Sequence, residues 1–182
     1  MKRMVQVRRT VFALFIAGVL AGCSTSQKSP EVADNIRQAL QQAGLKDVTV
    51  SQDRDKGIVT LGGQVTSDAD KSQAESTARS YAGSQVVANQ IAVIPVGIER
   101  EAKAVNSDLD KGIEKNLDAA LILNQMHDQV KYDVKNGVVT LSGEINSQGK
   151  RTKAEQVAAG VPNVHQVVND LQVKQQKASS SR

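Results

Sequence analysis

The chain repeats itself, and that restricts its folds more than any other feature. Residues 57–93 align with residues 137–173 at a constant offset of 80, without a gap. Of these 37 positions 12 are identical, including Val59/Val139, Thr60/Thr140, Leu61/Leu141, Gly63/Gly143, Glu75/Glu155 and Asn89/Asn169. Upstream the offset becomes 77, pairing Ile36 with Ile113 and Leu40 with Leu117, so the second copy has three extra residues between its first helix and first strand. A repeated unit is one supersecondary structure with its own apolar face. The expected architecture is two tandem small domains, each of marginal stability at about 65 residues without a disulfide.

Each copy reads helix, strand, strand, helix, strand. In the first, Ser29 is expected as an N-cap with Pro30 opening the helix. Val32, Ile36, Leu40 and Ala43 recur at helical spacing, and Gly44 ends the run. Val48 and Val50 alternate as a strand, and Asp53 to Gly57 supply a hairpin turn. Val59, Leu61 and Val65 share one strand face. Ser67 followed three residues later by Asp70 opens a second helix, whose stripe of Ala74, Ala78 and Tyr81 lets it lie close to a sheet. Val87, Asn89, Ile91 and Val93 form the last strand. A helix between two strands of one sheet requires a parallel crossover. The fold class is therefore α+β, two αββαβ units, each a three-stranded mixed sheet packed by two helices. In the second copy the first helix has its stripe at Leu109, Ile113, Leu117 and Leu121. Gly63 and Gly143 occupy inward positions, which points to close backbone approach or a bulge. Asn89 and Asn169 lie on an apolar face, where the local backbone is the natural partner.

The Val-Thr-Leu-x-Gly strand (Val59–Gly63, Val139–Gly143) and the Val-x-Asn-x-[Ile/Leu]-x-Val strand (Val87–Val93, Val167–Val173) resemble the BON domain of periplasmic and outer-membrane proteins. Val161-Pro162-Asn163-Val164 matches that family's approach to the last strand, whereas Ala82-Gly83-Ser84-Gln85 departs from it, so the first copy is expected to be the weaker.

Residues 1–22 read as a targeting segment. A basic start is followed by an apolar run, Val11 to Leu20, too short to span a bilayer. Leu20-Ala21-Gly22-Cys23 resembles the lipobox of bacterial lipoproteins, which implies covalent diacylglycerol and N-acyl chains on Cys23. Two or more chains give stable anchoring where one does not. Ser24, by resemblance to the enterobacterial sorting rule, implies the periplasmic face of the outer membrane. The resulting plan is 1–22 signal peptide, 23–29 lipidated Cys and spacer, 30–93 first domain, 94–106 linker, 107–174 second domain and 175–182 tail.

The formal charge of +4 does not imply a polyanionic partner. Lys2, Arg3, Arg8 and Arg9 lie in the targeting segment, leaving 19 basic and 19 acidic side chains after it. Both Phe residues, Phe12 and Phe15, lie there too, and there is no Trp. Nucleic-acid binding, which uses basic surfaces and stacking platforms, is not expected. Nor is catalysis. The single cysteine is the acylation site, and His127 and His165 sit in no Ser-His-Asp or His-Glu-x-x-His setting. No metal and no cofactor beyond the lipid are expected.

Two surface features remain as candidates for a lipid or partner surface. Lys150, Arg151 and Lys153 cluster where the last helix begins. Ile122 lies on the opposite side of its helix from Ile113, unless the helix ends near Leu121 and Ile122 turns into the core. The resemblance implies a non-enzymatic, membrane-tethered module that contributes to envelope integrity or stress response by docking on anionic phospholipid. The alternative is an adaptor or chaperone-like factor contacting outer-membrane assembly proteins or unfolded clients. Oligomeric state is open.

Overall fold

The computed structural model describes residues 28–174. The targeting segment, Cys23 and the tail from 175 lie outside the described residues. The first repeat comprises α1 (Ala33–Gln42), β1 (Val48–Asp53), β2 (Ile58–Val65), α2 (Asp68–Ala82), β3 (Val86–Asn89) and β4 (Ala92–Val93). The second comprises α3 (Glu99–Leu123), β5 (Lys131–Lys135), β6 (Val138–Ile145), α4 (Gln148–Ala159) and β7 (Gln166–Val173).

Each repeat forms the mixed sheet that its crossover demands. β1 pairs antiparallel with β2, and β5 with β6. β7 runs parallel to β6 along its whole length. In the first repeat the same edge is taken by two pieces, β3 and β4, both parallel to β2 and interrupted at Gln90 and Ile91. The alternation read from the sequence places Val59, Leu61 and Val65 under α1 and α2, with Val139, Leu141 and Ile145 equivalent beneath α3 and α4. Ile36, Leu40, Ile113 and Leu117 are essentially inaccessible to solvent. Each such side chain contributes about 1.5–3 kcal/mol by leaving water. Ala74, Ala78, Ala154 and Ala158 line the sheet side of α2 and α4, where their size permits close approach.

Register comparison resolves the three extra residues. Val50 opposes Leu61 and Tyr132 opposes Leu141, so the first strands are offset by 82 rather than 77. Five residues are gained before β5 and two are lost from the hairpin. The tighter hairpin turns on Asn136 and Gly137, both with positive φ (49° and 76°), the conformation a two-residue turn requires.

Three expectations are corrected. α1 begins at Ala33, with no side-chain cap from its own N-terminus. Ser29 is instead pinned to the hairpin, its N–H donating to Arg54 O and its carbonyl accepting from Arg54 Nε. The amides of Val32 and Ala33 donate to the Gln52 carboxamide, so the cap comes from β1. Tyr81 is 47% exposed and lies beside the outer face of α1, while Ala82 takes the buried place. Leu109 is 45% exposed because α3 overshoots its own sheet at the N-terminal end. Residues 94–106 contain the first two turns of that helix.

The repeats meet through their helix-free sheet faces. Ala88, Val138 and Val168 are buried together, with Ile58 packed against them. At the offset of 80, Ile58 is the equivalent of Val138 and Ala88 of Val168. The rim follows the same rule. Lys56 Nζ lies 2.8 Å from Asp170 Oδ2, and the equivalents also meet, Asn136 Nδ2 donating to Gln90 O at 2.7 Å. Equivalent surfaces facing each other are the mark of an isologous contact, here built inside one chain. The hydrogen bond and charge of Asp170 raise the Lys56 pKa above its ordinary value. That contribution is complete below the unfolded lysine's pKa and disappears as pH rises through the folded value. Urea denaturation should therefore show the Lys56→Met variant less stable than the parent at pH 8, with the gap narrowing as pH rises above the ordinary lysine value and through the raised folded one.

Candidate functional site

Asn89 and Asn169 do more than satisfy local backbone. Asn89 Nδ2 donates to Glu75 Oε2 at 2.9 Å, and Asn169 Nδ2 to Glu155 Oε2 at 2.9 Å. Each Oδ1 accepts from the amide two residues on, Ile91 or Leu171. The conserved spacing within the duplication thus joins the second helix to the last strand in both repeats. Burial works against the Glu75 carboxylate, but hydrogen bonds from Asn89 and Arg79 hold its pKa below the ordinary value.

The basic cluster divides by role. Ser147 caps α4, its hydroxyl accepting from Lys150 N. Lys150 and Lys153 are exposed in the first two turns. Arg151 is half-buried, and its guanidinium donates to Asn169 O at 2.7 Å and Leu171 O at 3.0 Å. It holds α4 on β7. Cations near a helix N-terminus oppose the macrodipole, and α2 has Asp70 where α4 has Lys150.

Ile122 is 54% exposed, and α3 continues through Leu123, so it does not turn into the core. No hydrogen bond or ion pair among the described residues joins its segment to Lys150 or Lys153. The larger apolar surface lies elsewhere on α3. Of the nine exposed large hydrophobic residues among the described residues, six fall between 96 and 123: Val96, Ile98, Val105, Leu109, Ile122 and Leu123. Ile98, Ala102, Val105 and Leu109 follow helical spacing along one face, and Leu123 returns to that face about seven turns after Ile98. The signal was present at positions 98, 102, 105 and 109, in a segment that Pro95 and Gly97 made read as a connection.

A cavity of about 180 Å³ lies between the repeats, with Ile91, Leu109 and Ile113 among its apolar lining residues and Lys71 and His165 among its polar ones. Burial lowers the Lys71 pKa, against the attraction of Asp68, Glu75 and Asp110. Asp110 is committed to the hairpin turn, accepting from the amides of Asn136 and Gly137 at 2.8 and 2.9 Å. Among the described residues no His/Cys/Asp/Glu cluster is arranged to hold a metal, and no helix is long and apolar enough to cross a membrane.

A duplicated mixed sheet of this topology, carrying the Gly and Asn positions of both copies, defines a tandem repeat of one small α+β domain. The chain belongs to the BON domain family, whose signature matches twice, over residues 28–95 and 109–175. It is 32% identical over 137 residues to the osmotically-inducible protein Y of Escherichia coli (strain K12), an alignment covering 71% of this chain and 64% of that one. The chain thus spans somewhat less than two thirds of that relative's length. Solved structures of CdsD, a structural protein of the type III secretion system of Chlamydia trachomatis, align at 16% identity over 78% of this chain and 91% of theirs, with a TM-score of 0.36. Its C-terminal domain aligns at 14% identity over 81% of this chain and 100% of its own, with a TM-score of 0.34. At those scores no shared arrangement of domains follows.

Proposed function

We propose that this protein is a lipid-anchored, non-enzymatic periplasmic module that docks on anionic phospholipid at the outer membrane and supports the envelope under osmotic or related stress. Cys23 is the tether, and α3 is the docking element. The observation that carries the reading is the exposed apolar face of α3 at Val105 and Leu109, extended by Ile98 at the N-cap and by Leu123 in the last turn. A helix with such a face rests in the interfacial plane of a bilayer by inserting its apolar side chains. α3 itself carries six acidic and four basic residues, so the attraction to anionic lipid comes from elsewhere. The osmotic induction named for the Escherichia coli relative supports the stress assignment.

Lys150 and Lys153 add attraction of about 1 kcal/mol each near an anionic surface, fading within a Debye length of about 8 Å at physiological salt. The acyl chains supply the rest by holding the domain at high local concentration. Vesicle flotation of the Cys23→Ser protein tests both contributions, and the same substitution is expected to release the protein from the membrane fraction. The paired change Val105→Asp and Leu109→Asp should abolish flotation at every salt concentration. Lys150→Glu with Lys153→Glu should reduce it at low salt and leave it unchanged at high salt. Arg151 is spared because it fastens α4. Equal flotation of all variants, or flotation indifferent to anionic lipid, would refute the reading.

A further inference from the structure

Gln166, the first residue of β7, places its side chain against the first repeat. Its Nε2 donates to Val87 O at 2.7 Å, and its Oε1 accepts from Asn89 N at 3.1 Å. Along β3, Val86 N donates to Gly57 O and Gln90 N to Leu61 O, so these positions face β2. Val87 and Asn89 therefore turn their peptide groups outward, to the free edge of the sheet. A carboxamide presents the same donor and acceptor as a peptide unit. Gln166 thus sits on the β3 edge as one peptide group of a neighbouring strand would.

We propose that the outer edge of β3 accepts an extended polypeptide segment by strand addition, and that Gln166 is the side chain that plugs this edge when no segment is bound. Space flanks the plug on both sides. A cavity of about 330 Å³ reaches past Val86 and Gly83, and another of about 170 Å³ reaches past Asn89 and Lys71, with Gln166 lining both. Removing its side chain joins the two into one furrow along β3. The furrow specifies its occupant. Alternate side chains of an added strand face Val86 on one side and Arg79 and Lys71 on the other, and Val138 once the repeats part. It fits a segment alternating apolar and polar residues, held chiefly by main-chain bonds. Because Gln166 begins β7, a strand of full length enters as the repeats part at this end. The contact to be opened comprises Ile58, Ala88, Val138 and Val168, the Lys56–Asp170 pair, the Asn136–Gln90 bond and the packing of α3 beside β4. This inference rests on none of the surfaces used for lipid docking.

The test uses the whole mature chain with Cys23→Ser and a short fluorescent peptide of alternating Val and Thr residues. Gln166→Ala and Gln166→Glu both withdraw the donor to Val87 O, and Gln166→Glu keeps the side chain's size. Both are expected to bind the peptide about tenfold more tightly than the parent, a gain of about 1.4 kcal/mol. In Gln166→Ala, which also removes the acceptor of the Asn89 amide, exchange at Asn89 should accelerate, and peptide should restore its protection. The same peptide N-methylated on alternate residues lacks the donors for strand pairing and should not bind. Binding of the methylated peptide as strong as the parent peptide's would overturn the proposal. So would unchanged peptide affinity in variants whose Asn89 amide shows that the plug has gone.

Discussion

Gly63→Ala is expected to unfold the first repeat and leave the second folded. Gly63 has φ of +87°, and a Cβ built there would lie 2.1 Å from Asp47 O and 3.3 Å from Thr49 N. The obstacle is backbone, so no rotamer relieves it. An alanine there must adopt a left-handed conformation costing about 1–3 kcal/mol and must also push β1 away from β2. Domains of this size hold only about 3–5 kcal/mol in their cores, so the change consumes the margin. In amide spectra, the dispersed signals of Val59 and Leu61 should collapse while those of Val139 and Leu141 persist. The neighbouring Gly62→Ala is a control, since its Cβ would meet only the end of the Thr49 side chain at 2.9 Å. Gly143→Ala should reverse the pattern, because Gln129 O lies 2.6 Å from that Cβ at a φ of +120°. A Gly63→Ala protein melting with the parent would show that the hairpin yields at little cost.

The duplication made these glycines legible, because both copies keep Gly at the strand position alternation assigns to the core, although Gly63 is exposed and what it must avoid is the backbone before β1. The sheet faces were legible for the same reason, since period-two alternation survived in both copies. Caps and ends were not. Nothing near Ser29 in sequence reveals that Gln52, twenty residues on, supplies the acceptor for the α1 amides. Tyr81 fits the helical stripe, but α2 turns its last residues along α1 instead of under it. The exposed face of α3 was hidden because Pro95 and Gly97 look like a linker, while the helix begins at Glu99. The chemistry of Arg151 was hidden too. A basic residue beside two others reads as surface, and only the fold shows it bonded to the carbonyls of β7. What no periodicity could disclose is the contact between repeats. It uses residues on the outward face of each strand, Ile58, Ala88, Val138 and Val168, which a single αββαβ unit leaves to solvent.

Val168→Asp should separate the repeats without unfolding either. Val168 is 1% exposed, enclosed with Ala88 and Val138, each also 1% exposed. A carboxylate held there unpaired would cost several kcal/mol in lost hydration. The alternative is to open the contact and wet the side chain, which sacrifices a few small apolar groups, the Lys56–Asp170 pair, three hydrogen bonds and the packing of α3 beside β4. The second repeat's own core lies on the other face of β7, where Leu171 packs with Leu141 and Ile145, and it keeps its sheet. Parting is therefore the cheaper response. Small-angle scattering should report a larger radius of gyration than the parent's, with helix and strand content unchanged. Ala88→Asp, on the equivalent position of the first repeat, should do the same, since the two meet across an approximate two-fold. Two variants with the parent's compact scattering profile would place the contact outside the native arrangement. Loss of the β6–β7 amides in Val168→Asp would show instead that this face belongs to the second repeat's core. When the repeats part, Gln166 leaves the β3 edge, so Asn89 amide exchange should accelerate alongside the gain in radius.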